Sequence, residues 1–556
     1  MFTVCLRSGD GSIEFSHPHD VLRPTGAPAA LEAFDACDRA LREGYWVAGY
    51  LTYELGAALA GAEHGATAGN VRAESPLLAI GIFDAPVAGV AASGFARLSP
   101  LLRGVDRARY ESAIRVIRAA LYEGEVYQVN YTVPFDCAIE GEPYALWSAI
   151  AATTDAAYQA FVQDGEQSIL SWSPELFLEF DGTSVVTRPM KGTATLDRID
   201  ELHDAKNRAE HVMIVDLLRN DLHRICDRVE VEALCSVERY PTFATMTSTL
   251  RGELRAQASL RDIFAALFPC GSITGAPKRA AMATIERLEA RPRGAYCGSV
   301  GFLAPERRGW WNVAIRTAQS HAGVARFDAG GGIVSDSRAE TEYAEIEVKR
   351  AFLHPFTSAP ELWETLASDA GEATLDAHLA RLARSAALFD ITYDAAALRA
   401  AVPGAPAQPL LVRIRLHADG TWAIRSDPLE RPESVTISLS PEVVRSDDPF
   451  LRIKSAWRPA HDRAAAFARE RGLFDALLVN ERGECTEGAR TNLFVQIEDR
   501  LITPPLACGV LPGILRSRIV SEGEAVERVL TIDDLRRARK VFVGNSARGL
   551  LPARVI

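Results

Sequence analysis

LFLEFDGTSVVTRPMKGT, residues 176–193, is the stretch from which the fold of this chain is read. Leu176 to Phe180 is a strand-like run, and Thr183 to Thr187 is a second, β-branched run. Asp181-Gly182 between them offers residues that tolerate the positive φ of a tight hairpin turn. Pro189 has no N–H to give a sheet ladder and so ends the regular pairing of the second strand. Gly192 then permits a sharp bend. Lys191 is left as a lone amine at the strand tip. Surrounded by apolar strands, such an amine loses hydration, its pKa falls, and the neutral form becomes a nucleophile. Taken alone, the segment reads first as a solvated lysine at a strand end, and only the rest of the chain can change that reading.

Working outward, 556 residues imply more than one domain, and the hydrophobic and charged fractions of 48% and 24% are those of a globular protein. Net charge is −12 and no long basic run is present, which argues against a nucleic-acid partner. No apolar run is long enough to span a membrane, and Met1 to Cys5 does not open a secretory signal. The nine cysteines are scattered without a C-x-x-C pair, as in a reduced, cytoplasmic protein. GSITGAPK (271–278) resembles a phosphate-binding loop only superficially, because Pro277 precedes the lysine and Arg279 follows it.

The periodicity predicts strands at Tyr45 to Leu51 and Leu77 to Phe83 and a helix beginning after Asp106, with Tyr110, Ile114, Ile117 and Leu121 as its apolar stripe. A second helix is expected over residues 203–223, with Glu210 on it. Strands follow at Gly298 to Leu303, Trp311 to Thr317 and Ala325 to Ala329. Arg316 falls inside the middle one, and a buried guanidinium there requires an anion. Gly330-Gly331-Gly332 reads as a turn whose amides can approach an anion. In the helix after it, Glu342, Glu345 and Lys349 share one face. Two prolines and small polar residues in Leu353 to Pro360 mark a boundary. The fold class is therefore α/β (α+β), with a first domain at 1–353, a linker at 354–360 and a smaller domain at 361–556. In the latter, a strand at Glu361 to Ala367, helices at Asp376 to Phe389 and Ala460 to Arg471, and strands near 410–416, 476–479, 493–497 and 541–543 are expected.

YQVNYT (127–132), SPELFL (173–178), RPMKGT (188–193), AEHVMIVDLLRNDL (209–222), GSITGAPK (271–278), YCGSVGFL (296–303), AIRT (314–317) and GGGIVSDSRAETEYAEIEVKR (330–350) occur in this order. Together they resemble the chorismate-utilising enzymes, and among them the aminodeoxychorismate synthases. The resemblance implies a two-sheet α/β sandwich and a Mg²⁺ held by Glu210 and Glu345, with Glu342 adjacent. It implies Arg316, Lys349 and the amides of Gly330, Gly331 and Gly332 at substrate carboxylates, with Tyr296, Ser272 and Lys278 lining the pocket. Relatives resembling anthranilate synthases carry alanine where this chain has Lys191. The implied chemistry is attack of Lys191 on C2 of chorismate with Glu175 as acid for the departing C4 hydroxyl, followed by ammonia at C4. Many relatives have a histidine in the segment that here reads Pro241 to Ser248. This chain has Ala244-Thr245, so any assistance to hydroxyl loss that a histidine would give comes from Glu175, from Thr245 or from neither. No glutaminase signature is visible, so a separate glutamine amidotransferase subunit is the implied source of ammonia.

LWETL (362–366), HLARL (378–382), IKSAWR (453–458), CTEGARTNLFV (485–495), GVLPGILR (509–516) and VGNSARGL (543–550) resemble the class IV pyridoxal-phosphate enzymes, and among them the aminodeoxychorismate lyases. Lys454 is the only lysine between Lys349 and Lys540, and arginine cannot form an imine. The resemblance makes Lys454 the lysine that holds pyridoxal 5′-phosphate and Glu487 the partner of its pyridine nitrogen. Arg381 and the amides of Ile514 and Leu515 would meet its phosphate at a helix N-terminus, with Asn545 and Ser546 as further contacts. Before Leu362 the unit lacks an aromatic-glycine segment common in relatives. Class IV relatives usually dimerise, which implies a homodimer through this unit. The function expected of the whole is synthesis of the folate precursor 4-aminobenzoate. The alternative is an anthranilate or isochorismate synthase carrying a non-catalytic C-terminal binding module.

Overall fold

A computed structural model describes residues 1–8, 11–64, 75–89, 92, 94–194, 196–197, 199–239, 244–404 and 406–556. It divides into two compact units. The first holds residues 1–97, 104–135 and 141–356; the second holds 98–103, 136–140 and 357–556. Two short segments thus belong with the second unit although they lie far upstream of it in sequence.

The first unit contains two sheets whose inner faces meet. One runs in the order Gly275–Ala276, Gln128–Gly141, Val324–Ile333, Thr317–His321, Gln167–Ser173, Tyr158–Asp164, Phe2–Ser8, Gly11–Phe15. The other runs Met190–Ala194, Ala244–Leu254, Ser184–Arg188, Leu176–Asp181, Arg308–Asn312, Ser299–Ala304, Trp46–Leu51, Leu78–Phe83. Val4, Leu6, Phe15, Val162 and Ile169 of the first sheet pack with Ala48, Tyr50, Phe83 and Val300 of the second. On the far face of the second sheet, Leu51, Phe177, Phe180 and Trp311 pack with Phe34, Ile214, Leu218 and Phe264 of the covering helices. Burial of such large apolar side chains is the dominant favourable contribution to folding.

The hairpin forms as the sequence dictates. Leu176–Asp181 and Ser184–Arg188 pair antiparallel around Gly182, whose φ is 87°. Pro189 separates the second strand from Met190–Ala194, which pairs instead with Ala244–Leu254. The register of that pairing shifts between Lys191 and Thr193, where Gly192 has φ 68°. The helix Arg107–Tyr122 is capped by Asp106, whose carboxylate accepts from the Arg109 N–H at 2.8 Å.

Two expectations fail. Trp311 to Thr317 is not one strand: Arg308–Asn312 lies in one sheet and Thr317–His321 in the other. Val313 to Arg316 cross between them, with Arg316 at φ 49°. A run of apolar residues is compatible with a crossover buried between two sheets, and periodicity does not distinguish the two. Nor do Gly330 to Gly332 form a turn; they end the strand Val324–Ile333. Glycine is needed there for close approach, since a Cβ on Gly330 would lie 2.1 Å from the Tyr131 carbonyl oxygen.

In the second unit, Glu361–Ala367, Leu410–His417 and Trp422–Pro428 form an antiparallel sheet. Leu362, Leu366, Val412, Ile414 and Leu416 point from it onto Leu382 and Ala386 of the helix Glu372–Leu388. A larger mixed sheet runs Cys485–Gly488, Asp475–Asn480, Val435–Val444, Gly549–Val555, Lys540–Asn545, Asn492–Ile497, Arg500–Thr503, Ala525–Glu527. No helix among the described residues is long and apolar enough to cross a membrane.

Two candidate active sites

In the first unit, Glu175 sits where the hairpin begins. Its N–H donates to Ser173 Oγ at 3.2 Å, and its carbonyl accepts from the Val313 N–H at 3.0 Å, at the crossover. The carboxyl is buried, and Oε1 has no hydrogen-bond partner. Burial pushes its pKa up to about 7, against the opposing pull of the Ser272 hydroxyl, the Lys191 ammonium and the Met190 amide. Burial also pushes the Lys191 ammonium below its ordinary range; Glu210, Glu345 and Glu175 oppose this, and Lys349 adds to it. The Lys191 amine lies beside the glycine strand, because a Cβ on Gly332 would be 2.9 Å from its Nζ. Lys349 lies beside Gly331, donates to the Gly330 carbonyl at 2.7 Å and pairs with Glu345 at 2.7 Å.

Lys191, Glu175, Ser272, Glu210, Glu345 and Lys349 are therefore brought together. Glu342 accepts from Ser337 Oγ at 2.7 Å, with a carboxylate oxygen 3.6 Å from the Cβ position on Gly331. Among the described residues no group of three or more His, Cys, Asp or Glu side chains converges as a closed metal site. Two carboxylates are nevertheless an adequate donor set for Mg²⁺, which keeps several waters and also binds anionic substrate groups. Arg316 is half-buried rather than buried, with its guanidinium 5.9 Å from the Phe352 ring centroid.

Other expected pocket residues are engaged elsewhere. Lys278 donates to Asp221 at 2.7 Å and to the Leu267 carbonyl at 3.1 Å. Tyr296 is packed in the core, where Cys297, Asp328, Arg293 and Glu289 are its charged and titratable neighbours. Thr245 donates to the Gly192 carbonyl at 2.7 Å, so it braces the bend after Lys191. Pro241 to Phe243, in the segment where relatives carry a histidine, lie outside the described residues. A histidine is present nonetheless: His211, next to Glu210 and buried, contacts Ser248 Oγ through Nε2 at 2.7 Å. Burial and the nearby Lys191 push it down to about 4, so it is neutral near pH 7. Its position beside Glu210 within AEHVM was the only signal in the sequence.

In the second unit a cavity of about 370 Å³ is lined by Glu364, Arg381, Arg413, Lys454, Arg458, Glu487, Ile514, Asn545, Ser546 and Arg548, among others. Lys454 is anchored through its backbone, its carbonyl accepting from the Trp363 N–H at 2.9 Å. Burial, reinforced by Arg381 and Arg458, pushes its amine down to about 8 although Glu364 and Glu487 oppose this. Glu487 is buried and accepts from Arg458 at 2.9 Å, His461 at 3.0 Å and Asn492 at 2.9 Å. Arg381 grips Glu364 through Nε at 2.8 Å and a terminal nitrogen at 2.6 Å, and its other terminal nitrogen donates to the Pro512 carbonyl at 3.0 Å. The Glu364 carboxylate is held down to about 2 by Arg381 and His378, which outweigh its burial. Ser546 Oγ meets His378 Nε2 at 2.7 Å. Asn545 accepts from the Ala547 and Arg548 amides. The helix Ile514–Ser521 begins at the cavity wall, and its N-cap residue Gly513 makes no side-chain cap hydrogen bond to the first amides. Leu515 itself packs its side chain into a neighbouring cluster with Phe494 and Ile519. Arg413, Arg458, Arg548 and His461 are site residues that the sequence reading did not single out.

An enclosed amine, a buried carboxylate and a helix start lined by arginines fit an aldehyde cofactor that carries a phosphate. Residues 89–355 match the chorismate binding enzyme family, and residues 361–556 match amino-transferase class IV. The chain joins a chorismate-binding enzyme domain to a class IV amino-transferase domain. The first domain is 37% identical over 265 residues to aminodeoxychorismate synthase component 1 of Salmonella typhimurium, a match covering 45% of this chain and 58% of that protein. It is 35% identical over 250 residues to an anthranilate synthase component 1 of Haloarcula marismortui, covering 43% and 51%. The chain thus spans little more than half the length of these curated relatives. The crystal structure of anthranilate synthase component I from Streptococcus pneumoniae shares the fold, with a TM-score of 0.52 at 23% identity over 63% of this chain and 89% of that one.

Proposed function

We propose that the chain makes 4-aminobenzoate, a folate precursor, in two steps. The first domain converts chorismate and ammonia to 4-amino-4-deoxychorismate, and the second eliminates pyruvate from that product. The observation that carries the first assignment is the pairing of an enclosed amine, Lys191, with a protonatable acid, Glu175, whose pKa lies near 7. Lys191 in its neutral form attacks C2 of the ring, and the C4–O bond breaks as Glu175 delivers a proton to the leaving hydroxyl. Ammonia then forms the C4–N bond and the C2–N bond to Lys191 breaks, so the lysine is recovered. Arg316 and Lys349 hold substrate carboxylates, Arg316 with the geometry for a bidentate contact. Glu210 and Glu345 would hold Mg²⁺, which supplies positive charge at a substrate carboxylate.

In the second domain, Lys454 moves a proton at its Nζ, which a pKa of about 8 suits to both acceptance and release near neutrality. Glu487, fixed by Arg458, His461 and Asn492, presents negative charge toward the cavity and would partner the pyridine nitrogen. Arg381 and the Ile514 and Leu515 amides would bind the phosphate, with Asn545 and Ser546 beside them. Pyridoxal phosphate, when bound, supplies an electron sink for the elimination. The ammonia would come from a separate glutamine amidotransferase subunit, as the component 1 names of the relatives suggest.

Anthranilate synthesis is the competing reading, because relatives of almost equal identity carry that name; the lysine at position 191 favours amination at C4. Purified protein incubated with chorismate, Mg²⁺ and ammonium, with products identified by mass, separates the two. Aminodeoxychorismate or 4-aminobenzoate is the expected product. Anthranilate as the sole product overturns the proposal.

A further inference from the structure

Three polar side chains stand in line beside the second cavity. Glu364, on the strand Glu361–Ala367, and His378, on the helix Glu372–Leu388, are both buried. Ser546 follows the strand Lys540–Asn545, is half-buried and lines the cavity. Glu364 Oε2 lies 2.6 Å from His378 Nδ1, and His378 Nε2 lies 2.7 Å from Ser546 Oγ. Against the upward push of burial, Arg381 and His378 hold the Glu364 carboxyl at about 2, so it is ionised. An ionised carboxylate only accepts, so the proton of a neutral His378 sits on Nδ1. Nε2 is then the bare nitrogen and accepts the Ser546 hydroxyl proton. Ser546 has one proton to give. While His378 takes it, the serine offers the cavity lone pairs alone, which repel the oxygens of a phosphate dianion. The Thr365 carbonyl, at 3.4 Å, is the more distant claimant on the same proton.

We propose that a phosphate entering the second cavity at Ser546 draws a proton onto His378 Nε2. This rests on the cofactor reading above and adds a positioning residue to it. With both ring nitrogens protonated, Nε2–H donates to Ser546 Oγ and Nδ1–H keeps Glu364, so the serine proton turns to the phosphate. The other neutral tautomer offers no escape, because it sets a bare Nδ1 against a carboxylate 2.6 Å away. The charges also match. Glu364 and Arg381 cancel each other, so an imidazolium adds positive charge near Arg381 and Lys454, and the phosphate offsets it. Burial, with Arg381 and Lys454, holds His378 below the ordinary histidine range, and Glu364 opposes them. The helices Ala395–Ala401 and Ile514–Ser521, packed on the His378 helix, direct their charges elsewhere. Arg399 pairs with Glu372 and Asp376, Arg516 with Glu527, and Arg518 with Glu522.

Pyridoxine 5′-phosphate, an alcohol that forms no bond to Lys454, is the probe. Calorimetry on the full chain at pH 7, in buffers of different ionisation enthalpy, counts the protons taken up on binding. Wild type should take up about one per site. At that pH Lys454, at about 8, is already mostly charged, and a phosphate monoester, with a second pKa of about 6, is mostly dianionic. His378→Gln supplies a permanent amide donor to Ser546, so it should bind within about tenfold of wild type and take up almost no proton. Ser546→Ala should bind more weakly and also take up almost none. Wild-type affinity should fall about tenfold per pH unit for each proton taken up, and that of His378→Gln should stay flatter. A purely structural histidine would shift the folding midpoint of the variant and leave the proton count unchanged. Equal uptake in wild type and His378→Gln overturns the proposal. Should the variants not fold, the nitrogen shifts of labelled histidine in wild type decide: one ring is expected to turn from neutral to charged on binding, and no change overturns the proposal. Binding without proton uptake overturns this proposal alone, whereas no binding of the probe to wild type overturns the cofactor reading with it.

Discussion

Lys191 and Lys454 are both half-buried amines whose pKa is lowered chiefly by burial, but their surroundings carry opposite charge. Around Lys191 the acting groups are three carboxylates, Glu210, Glu345 and Glu175, and one ammonium, Lys349. Around Lys454 the two carboxylates are already bound, Glu364 to Arg381 and Glu487 to Arg458, in a cavity further lined by Arg413, Arg415, Arg490 and Arg548. Desolvation lowers the pKa of each amine and so raises the share of its neutral form; the neighbouring charge decides what binds beside it. A group of carboxylates suits a divalent cation, whereas arginines in excess suit a phosphate and carboxylates.

The comparison is tested most severely by deleting each amine. Lys191→Ala should reduce aminodeoxychorismate formation by ~10³-fold or more, as loss of a covalent nucleophile does. The release of 4-aminobenzoate from supplied aminodeoxychorismate should be untouched. Lys454→Ala should do the reverse and should also abolish the visible absorbance of lysine-bound pyridoxal phosphate. Product analysis of both variants checks the separation. Full ammonia-dependent activity in Lys191→Ala would show that the covalent route is wrong, even with the domain assignment intact.

Stability against pH sharpens the contrast, because the two sites carry opposite signs. Glu175 titrates at about 7 in the folded chain against an ordinary 4.5, so the folded state binds more protons than the unfolded state between those values. Its favourable contribution is complete below pH 4.5 and is lost as pH rises to 7, amounting to about 3 kcal/mol. Lys454 is lowered from 10.5 to about 8, so the unfolded state binds more protons in that window, and stability rises between pH 8 and 10.5. Glu175→Gln should flatten the first slope and Lys454→Met, without cofactor, the second, each by about 3 kcal/mol in urea unfolding. Equal slopes in wild type and variant would mean the group is solvated in the folded state. Glu175→Gln should also remove the loss of synthase activity above pH 7 that deprotonation of a general acid imposes.

Much of this was legible in the sequence, for identifiable reasons. The hairpin at 176–188 was announced by a strand-like and a β-branched run around Asp-Gly, and the helix at 107–122 by a capping aspartate and an apolar stripe. The strand Glu361–Ala367 was anticipated to the residue. Val313 to Arg316 was misread because apolar content reports burial, not which sheet a segment joins. Gly330 to Gly332 was misread because glycine serves close packing as well as turns. Lys191, Glu175, Glu210 and Glu345 were singled out through motif resemblance, and the structure brings them together. Lys278 and Tyr296 share those motifs but face other partners, since motif membership does not fix a side chain's direction. His211 carried no signal beyond its place beside Glu210 in AEHVM. Only its burial and its contact with Ser248, both properties of the tertiary structure, mark it out.

The smallest effect expected comes from the excess of positive charge in the second cavity. Arg548 is half-buried and donates to the Glu430 carbonyl at 3.2 Å. Its burial and the nearby Arg490 and Arg413 hold its pKa below the usual arginine range. Arg548→Gln keeps a donor for Glu430 and removes one member of a like-charged group. Partly exposed charge interactions are worth little, so the gain should be about 0.5 kcal/mol or less, a rise in Tm of roughly 1–2 °C in the absence of anions. Adding inorganic phosphate should stabilise wild type more than the variant, because the repelling arginines are what an anion relieves. If phosphate stabilises both alike, or the substitution lowers Tm in its absence, Arg548 serves the fold through Glu430 and the cationic character of the cavity is not an adaptation to anions.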